Sequence, residues 1–272
     1  MRNDIDCAID TALDEAYGFF PEADASAYRH ARHLYRMALS ELSRHFGSLH
    51  GKAILDVGAG RGILALAIHQ LGGQVVALER YVFEHDVSAM FQEGDEKLLM
   101  ELWQTKGVVP LIADISVLND TLEPNAFDAV VSLEVIEHMK QPRILVDGAL
   151  RVLKPGGLFV VTTPNYGRLH ARLRLMFGKN PKIDLDTFYS LGETGFVGHW
   201  REYHPFELER MLELSGFKVN VIRTFADPFF DIRKNVSVYS IKQTVLNMFS
   251  YCIPKARFHL IAVGAKPNYG RS

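Results

Sequence analysis

Residues 54–62 read Ile-Leu-Asp-Val-Gly-Ala-Gly-Arg-Gly, an apolar run that carries one aspartate and ends in a glycine-rich turn. Ile54–Val57 has the continuous apolar character of a strand buried on both faces. Behind it, Gly62–Leu71 is nearly apolar on every side, as a helix packed on a sheet would be, and Gly72-Gly73 stop it. Gly58 and Gly60 permit positive φ and close approach of the backbone to a ligand, while Gly62 lets the helix start close to the strand. The free N–H groups at that helix start suit a carboxylate or a phosphate. The spacing is G-x-G-x-G, not the G-x-G-x-x-G of dinucleotide binding. Asp56, two residues before the first glycine, would repel a pyrophosphate and could hold a cationic amino group. Both points speak against an NAD-dependent reductase.

Outward from this stretch the same rhythm repeats. Gln74–Leu78 is an apolar strand ending in Glu79, and helical stretches are expected from about Val82 and around Glu96–Gln104. Val108–Ala113 is a strand ending in Asp114, and Phe127–Leu133 a continuous apolar strand bounded by Glu134. Pro142 fits the first turn of a helix that closes at Lys154-Pro155-Gly156-Gly157, and the strand Leu158–Thr162 follows. A helix at Pro205–Ser215, a strand at Lys218–Phe225, a helix at Val238–Phe249 and a strand at Phe258–Val263 complete the chain. This order predicts an α/β fold, a doubly wound, mostly parallel seven-stranded sheet with helices on both faces. Such sheets bind ligands at the carboxyl ends of their strands. Asp56, Glu79, Asp114 and Glu134 all fall there, one per strand, which points to a single polar site.

Two segments stand outside the rhythm. Residues 1–50 are expected to form an N-terminal helical cap, with Tyr28, Leu34, Tyr35, Ala38, Leu39, Leu42 and Phe46 at helical spacing. Residues 51–272 then form the main domain. Residues 164–203, rich in glycine, proline and aromatics, read as a lid-like insertion on the substrate side.

A chain of 272 residues suffices for one large core, and a net charge of −2 gives no global pull toward nucleic acid or membrane. Cys7 and Cys252 form neither a disulfide framework nor a metal cluster. The first residues hold acids where a secretory signal needs an apolar core, and no apolar run is long enough to span a bilayer. A cytoplasmic location is expected.

With these elements in order, the chain resembles the class I S-adenosylmethionine-dependent methyltransferases, of small-molecule type, over roughly residues 50 to 265. ILDVGAGRG (54–62) is similar to their first motif and Glu79 to the acidic end of their second strand. Ala113-Asp114-Ile115 resembles the adenine-contacting motif, FDAVVSLEVIEH (127–138) the fourth-strand motif, and LRVLKPGGLFVVTTPN (150–165) the helix-turn-strand after it. HWREYHPFELERMLELSGF (199–217) is similar to a segment of small-molecule members. The resemblance implies S-adenosyl-L-methionine as cofactor. Glu79 would accept both ribose hydroxyls, Asp114 the adenine amino group, with Ile115 packing on the ring. Gly58 and Gly60 would admit the methionine part, and Asp56 would sit near its amino group. Leu133 and Glu134 would line the wall near the transferable methyl. Arg80 would either stack on adenine or stand as an exposed arginine.

The acceptor is less well specified. Methyl transfer from a sulfonium is an in-line displacement that needs alignment and, for a hydroxyl, help in removing a proton. His138 and His199 are the candidate bases, with His204 a third, although each could simply pack beside its neighbours. Tyr189, Trp200 and Tyr203 are candidate walls. Ser132-Leu133-Glu134 stands where nucleobase amino methyltransferases carry their (Asp/Asn)-Pro-Pro-aromatic motif, and neither cysteine suits cytosine C5 chemistry. The expected acceptor is a small molecule, a hydroxyl of a sugar or glycan precursor or of a secondary metabolite, with no metal and no nucleic acid. Two alternatives stay open. Glu134, Glu137, His138 and His199 resemble the metal-binding pattern of small-RNA 2′-O-methyltransferases, and a non-catalytic cofactor-binding subunit would keep the same motifs. Arg168–Lys179 reads as a basic amphipathic helix, either a packed lid element with solvated arginines, a clamp for an anionic substrate, or an interfacial anchor.

Overall fold

In the computed structural model, which describes residues 2–22, 31–80, 95–182, 185, 189, 199–226, 248–253 and 255–268, seven strands share one sheet. They are β1 (Ala53–Val57), β2 (Gln74–Glu79), β3 (Val109–Ile112), β4 (Phe127–Leu133), β5 (Leu153–Pro164), β6 (Lys218–Phe225) and β7 (His259–Ala265), in the order β3-β2-β1-β4-β5-β7-β6. The first five run parallel, and β7 lies antiparallel between β5 and β6. The chain order reverses between β1 and β4, which opens a crevice at their carboxyl ends.

Side-chain alternation explains why both faces are covered. Ile54, Ala129, Leu158 and Val160 point to one face. There they meet α1 (Arg2–Gly18), α2 (Arg32–Phe46) and α3 (Ile63–Gln70), through Leu13, Leu39, Leu42 and Ile63 among others. Leu55, Val57, Val130 and Phe159 point to the opposite face, against α6 (Arg143–Val152) and α8 (Pro205–Leu214). Each fully buried aliphatic side chain contributes about 1.5–3 kcal/mol. The N-terminal helices α1 and α2 therefore share the core of the sheet. Further helices among the described residues include α4 (Asp95–Thr105), α5 (Val117–Asp120) and α7 (Leu169–Met176). Among the described residues no helix is long and apolar enough to cross a membrane.

Several boundaries differ from the sequence reading. Lys154–Gly157, expected as a turn after the helix, is drawn into β5, because Leu153 already pairs with Phe127 across an irregularity in the ladder. The final strand starts one residue later and runs to Ala265, since it pairs with β5 and β6 along its whole length. The helix expected from about Val82, most of that at Val238–Phe249, and Tyr28 lie outside the described residues.

Candidate active site

β1 ends in the glycine turn, and β2 holds that turn in place. Gly58 and Ala59 donate to the Leu78 carbonyl at 2.9 and 3.1 Å, and Gly60 N–H donates to Glu79 Oε2 at 2.6 Å. Glu79 Oε1 accepts from Arg80 N–H at 2.8 Å. One carboxylate thus ties the turn after β1 to the end of β2. Gly58 has φ +77°, and a Cβ there would lie 2.3 Å from Val135 Cγ2, so neither the conformation nor the space admits a side chain. Gly62 has φ +82°, and its Cβ would lie 2.1 Å from Trp103 Nε1.

Asp56 lies beneath this turn, 2% exposed, and its Oδ2 has no hydrogen-bond partner among the described residues. Burial, reinforced by the charge of Glu79, pushes its carboxyl up to about 7. Burial also raises Glu79 from its ordinary value. Two acids that resist ionisation side by side form a place where a cationic ligand group would be welcome. At the end of β3, Asp114 accepts from Ser116 N–H at 3.0 Å and pairs with Arg80 at 2.7 Å, and its carboxyl is held low mainly by the Ser116 bond. Ile115 packs, half-buried, against the core beside it. Arg80 is thus an exposed side chain tied to Asp114.

A second polar group forms where β4 ends. Leu133 is half-buried, and Glu134 follows with φ +55°, an uncommon conformation for a side-chain-bearing residue that re-aims the chain. Glu134 accepts from Thr162 Oγ1 at 2.9 Å, and its Oε2 lies 3.6 Å from His259 Nδ1. The next turn (Ile136–His138) buries Glu137 completely. Its Oε2 accepts from Thr163 Oγ1 at 3.0 Å, while Oε1 has no hydrogen-bond partner among the described residues and lies 4.0 Å from His138 Nε2. Burial, then the charge of Glu134, raises the Glu137 carboxyl well above the usual range.

His138 and His199 come together with ring centroids 4.9 Å apart at 83°. His199 Nδ1 lies 3.1 Å from Glu202 Oε1, and Glu202 also pairs with the buried Arg168. Burial alone would raise Glu202, but the hydrogen bonds of His199 and Arg168 hold it down to about 2. Glu137, His138 and His199 can each turn one donor atom to within 4.8 Å of the others, a geometry able to hold a metal ion. Glu134, expected as a further ligand in that pattern, is not part of this group.

The other expectations divide. His204 caps α8, its backbone N–H donating to Glu207 Oε2 at 2.8 Å, and its ring stacks on Phe206. Tyr203 is buried and Trp200 lies under Lys140, whereas Tyr189 is 87% exposed. In the basic helix, Arg168 is spent on Glu202, and Arg172 donates to the carbonyls of Gly167 and Lys255. Arg174 donates to that of Asn180. These internal bonds speak against the anionic clamp, while Met176 and Phe177, 78% and 76% exposed, leave the apolar end of that helix uncovered among the described residues. Thr162, Thr163, Glu202 and His259 were not singled out from sequence. Glu202 alone left a signal, an acid three residues after His199.

Residues 28–221 match a family model described as a methyltransferase domain. The chain is similar to a mitochondrial ubiquinone biosynthesis O-methyltransferase of Rattus norvegicus, 30% identical over 177 residues, 64% of this chain and 46% of the relative. It is likewise similar to the Dictyostelium discoideum enzyme of that description, 32% identical over 204 residues, 72% of this chain and 61% of the relative. The chain spans about half the length of these relatives. Among solved structures it resembles Haemonchus contortus phosphoethanolamine N-methyltransferase 2 in complex with S-adenosyl-L-methionine. That likeness has a TM-score of 0.54 at 20% identity, covering 85% of this chain and 52% of that one. A SAM-dependent methyltransferase of Archaeoglobus fulgidus gives 0.53 at 17%, covering 85% and 94%. These two likenesses establish the fold.

Proposed function

The chain belongs to the class I S-adenosylmethionine-dependent methyltransferases, and from that membership we propose that it transfers a methyl group from S-adenosyl-L-methionine to a hydroxyl of a small molecule. The observation that carries this reading is the unpartnered, buried Oδ2 of Asp56 beneath the glycine turn. A buried polar atom without a partner is costly, and the ammonium of an amino-acid moiety supplies both the charge and the donors it lacks. Glu79 keeps lone pairs for ribose hydroxyls beyond its two backbone bonds. Asp114 and Ile115 offer the acceptor and the apolar surface that an adenine needs. When bound, the sulfonium supplies an electrophilic methyl group.

The residues of the chain then bind and orient the acceptor and move its proton. His138 and His199 stand at the carboxyl end of the sheet, half-exposed, and Glu202 fixes the His199 ring through Nδ1. The Glu202 carboxylate favours the tautomer with a proton on Nδ1 and so orients the ring. An imidazole suits the proton of an acidic, phenol-like hydroxyl, whose pKa is near 10, better than that of a sugar alcohol. The name shared by the curated relatives, an O-methyltransferase, supports oxygen as the acceptor atom. Replacing His138 with alanine is expected to slow transfer about 100-fold while leaving S-adenosylhomocysteine affinity unchanged. An unchanged rate would remove His138 from catalysis.

One observation favours a second reading. The donor atoms of Glu137, His138 and His199 converge as ligands of a divalent cation would, and such an ion would acidify the acceptor hydroxyl itself. The acceptor that the sequence pattern associates with this arrangement is the ribose 2′-hydroxyl of RNA. Activity lost to a chelator and restored by added cation, with label in RNA, would establish it in place of the first reading.

A further inference from the structure

A second cleft, of about 630 Å³, opens between α1, α2 and the outer edge of β6. Its walls carry Arg36, Arg44, Arg223 and Arg257, with Thr224 and Phe225 at the end of β6. The guanidinium groups are held in place from behind. Glu41, only 4% exposed, accepts from Arg44 at 2.5 Å and also pairs with Arg223. Arg257 donates to the Thr224 carbonyl at 3.3 Å and lies over the Tyr251 ring at 4.8 Å. On the α1 side, Arg36 is matched by Asp10 at 3.1 Å and by Asp6 at 3.3 Å, and Asp6 is the carboxylate that lines the cleft.

The charges do not balance along the β6 side. Among the described residues Arg44 and Arg223 share the carboxylate of Glu41 while Arg257 donates to a neutral carbonyl, so the β6 side of the cleft carries an excess of positive charge suited to a phosphate. A guanidinium carries several N–H donors in a planar fork matched to phosphate oxygens, and among the described residues the bonds to Glu41 and to the Thr224 carbonyl engage only some of them. Ile5, Met37 and Phe225 supply apolar surface beside those donors. Phe225 stacks on His259, whose Nδ1 lies 3.6 Å from Glu134 Oε2, so the cleft shares a wall with the candidate active site.

We propose that this cleft is a binding site for a phosphorylated small molecule, its phosphate held by Arg44, Arg223 and Arg257 and its apolar body lying against Phe225. Two sources share this chemistry, a phosphorylated methyl acceptor and a separate phosphorylated ligand. The binding step needs no turnover and stands apart from the methyl-transfer reading. Titrating the protein with phenyl phosphate at constant ionic strength, with phenol as the neutral control, should give saturable binding of the phosphate compound alone. Arg257→Gln and Arg223→Gln should each weaken it about tenfold, the scale of one charge-assisted contact. Unchanged S-adenosylhomocysteine affinity and unfolding temperature would certify that the variants are folded. If S-adenosylhomocysteine binds and phenyl phosphate does not, or if it binds wild type and both variants equally, the site is refuted and the methyl-transfer reading survives. In a labelling assay with cell extract, inhibition relieved by more extract marks the methyl acceptor as the source. A change in rate that persists at saturating extract marks a separate ligand.

Discussion

Under the proposed function Asp56 is the residue on which cofactor recognition turns, and its carboxyl gives that role a pH signature. Its value is raised to about 7 by burial and by Glu79, so the group is neutral in acid and ionised in base. An ammonium is attracted only to the ionised form. Affinity for S-adenosylmethionine should therefore rise as pH increases through about 7, and titration calorimetry should show the rise flattened in Asp56→Asn. Glu79→Ala removes the acceptor for the ribose and also the clamp on Gly60 and Arg80, so affinity should fall about 100-fold. Unchanged affinity would refute the ribose assignment. Glu202 has the opposite sign to Asp56. Its value is depressed from 4.5 to about 2, so its contribution to stability is complete above about 4.5 and is lost as pH falls through about 2. Glu202→Gln leaves Arg168 buried without its charge partner and should cost about 3 kcal/mol in urea unfolding at neutral pH, with a shallower loss in acid.

At the scale of elements, the glycine turn between β1 and α3 shows which positions serve folding and which serve binding. Gly62→Ala forces a side chain into φ +82° and against the Trp103 indole, which donates to Arg61 O at 3.0 Å. Thermal unfolding should report a loss of about 2–4 kcal/mol. A Cβ at Gly60 would meet nothing within 4 Å, so Gly60→Ala carries only the cost of φ +57°, about 1 kcal/mol. Its effect should appear in cofactor affinity instead. The strand ends were legible in the sequence, because a buried parallel strand stays apolar until the residue that leaves the sheet. Glu79 and Glu134 mark that point on β2 and β4, while Asp56 still lies within β1 and Asp114 two residues past β3. The partners of the second polar group were not legible. Thr163 meets Glu137 across 26 residues, and Arg168 meets Glu202 across 34. Such pairs depend on how β5, the turn after β4 and the segment before α8 cross in space, and no local periodicity encodes that. The extension of β5 through Pro155 escaped for a related cause, since a ladder irregularity accommodates a turn-like tetrapeptide.

For the whole molecule, the sheet order places the cofactor cradle, the His138–His199 pair and the arginine cleft along one end of the sheet. The Phe225–His259 stack and the His259–Glu134 approach connect the last two. The strands and turns of the proposed cofactor end were readable from sequence because its motifs are local and ordered. The acceptor end was not, because it is assembled from β4, β5, β7 and the chain before α8. Methyl transfer to a small-molecule hydroxyl can be followed by supplying S-adenosylmethionine with a labelled methyl group to the protein in source-cell extract. The extract would be fractionated into small molecules, lipid-glycan, protein and RNA, with and without a chelator. Chelator-insensitive label is expected in the small-molecule fraction, and it should be lost in Glu79→Ala. Label confined to RNA and abolished by the chelator, or cofactor binding with no label in any fraction, would contradict methyl transfer to a small-molecule hydroxyl.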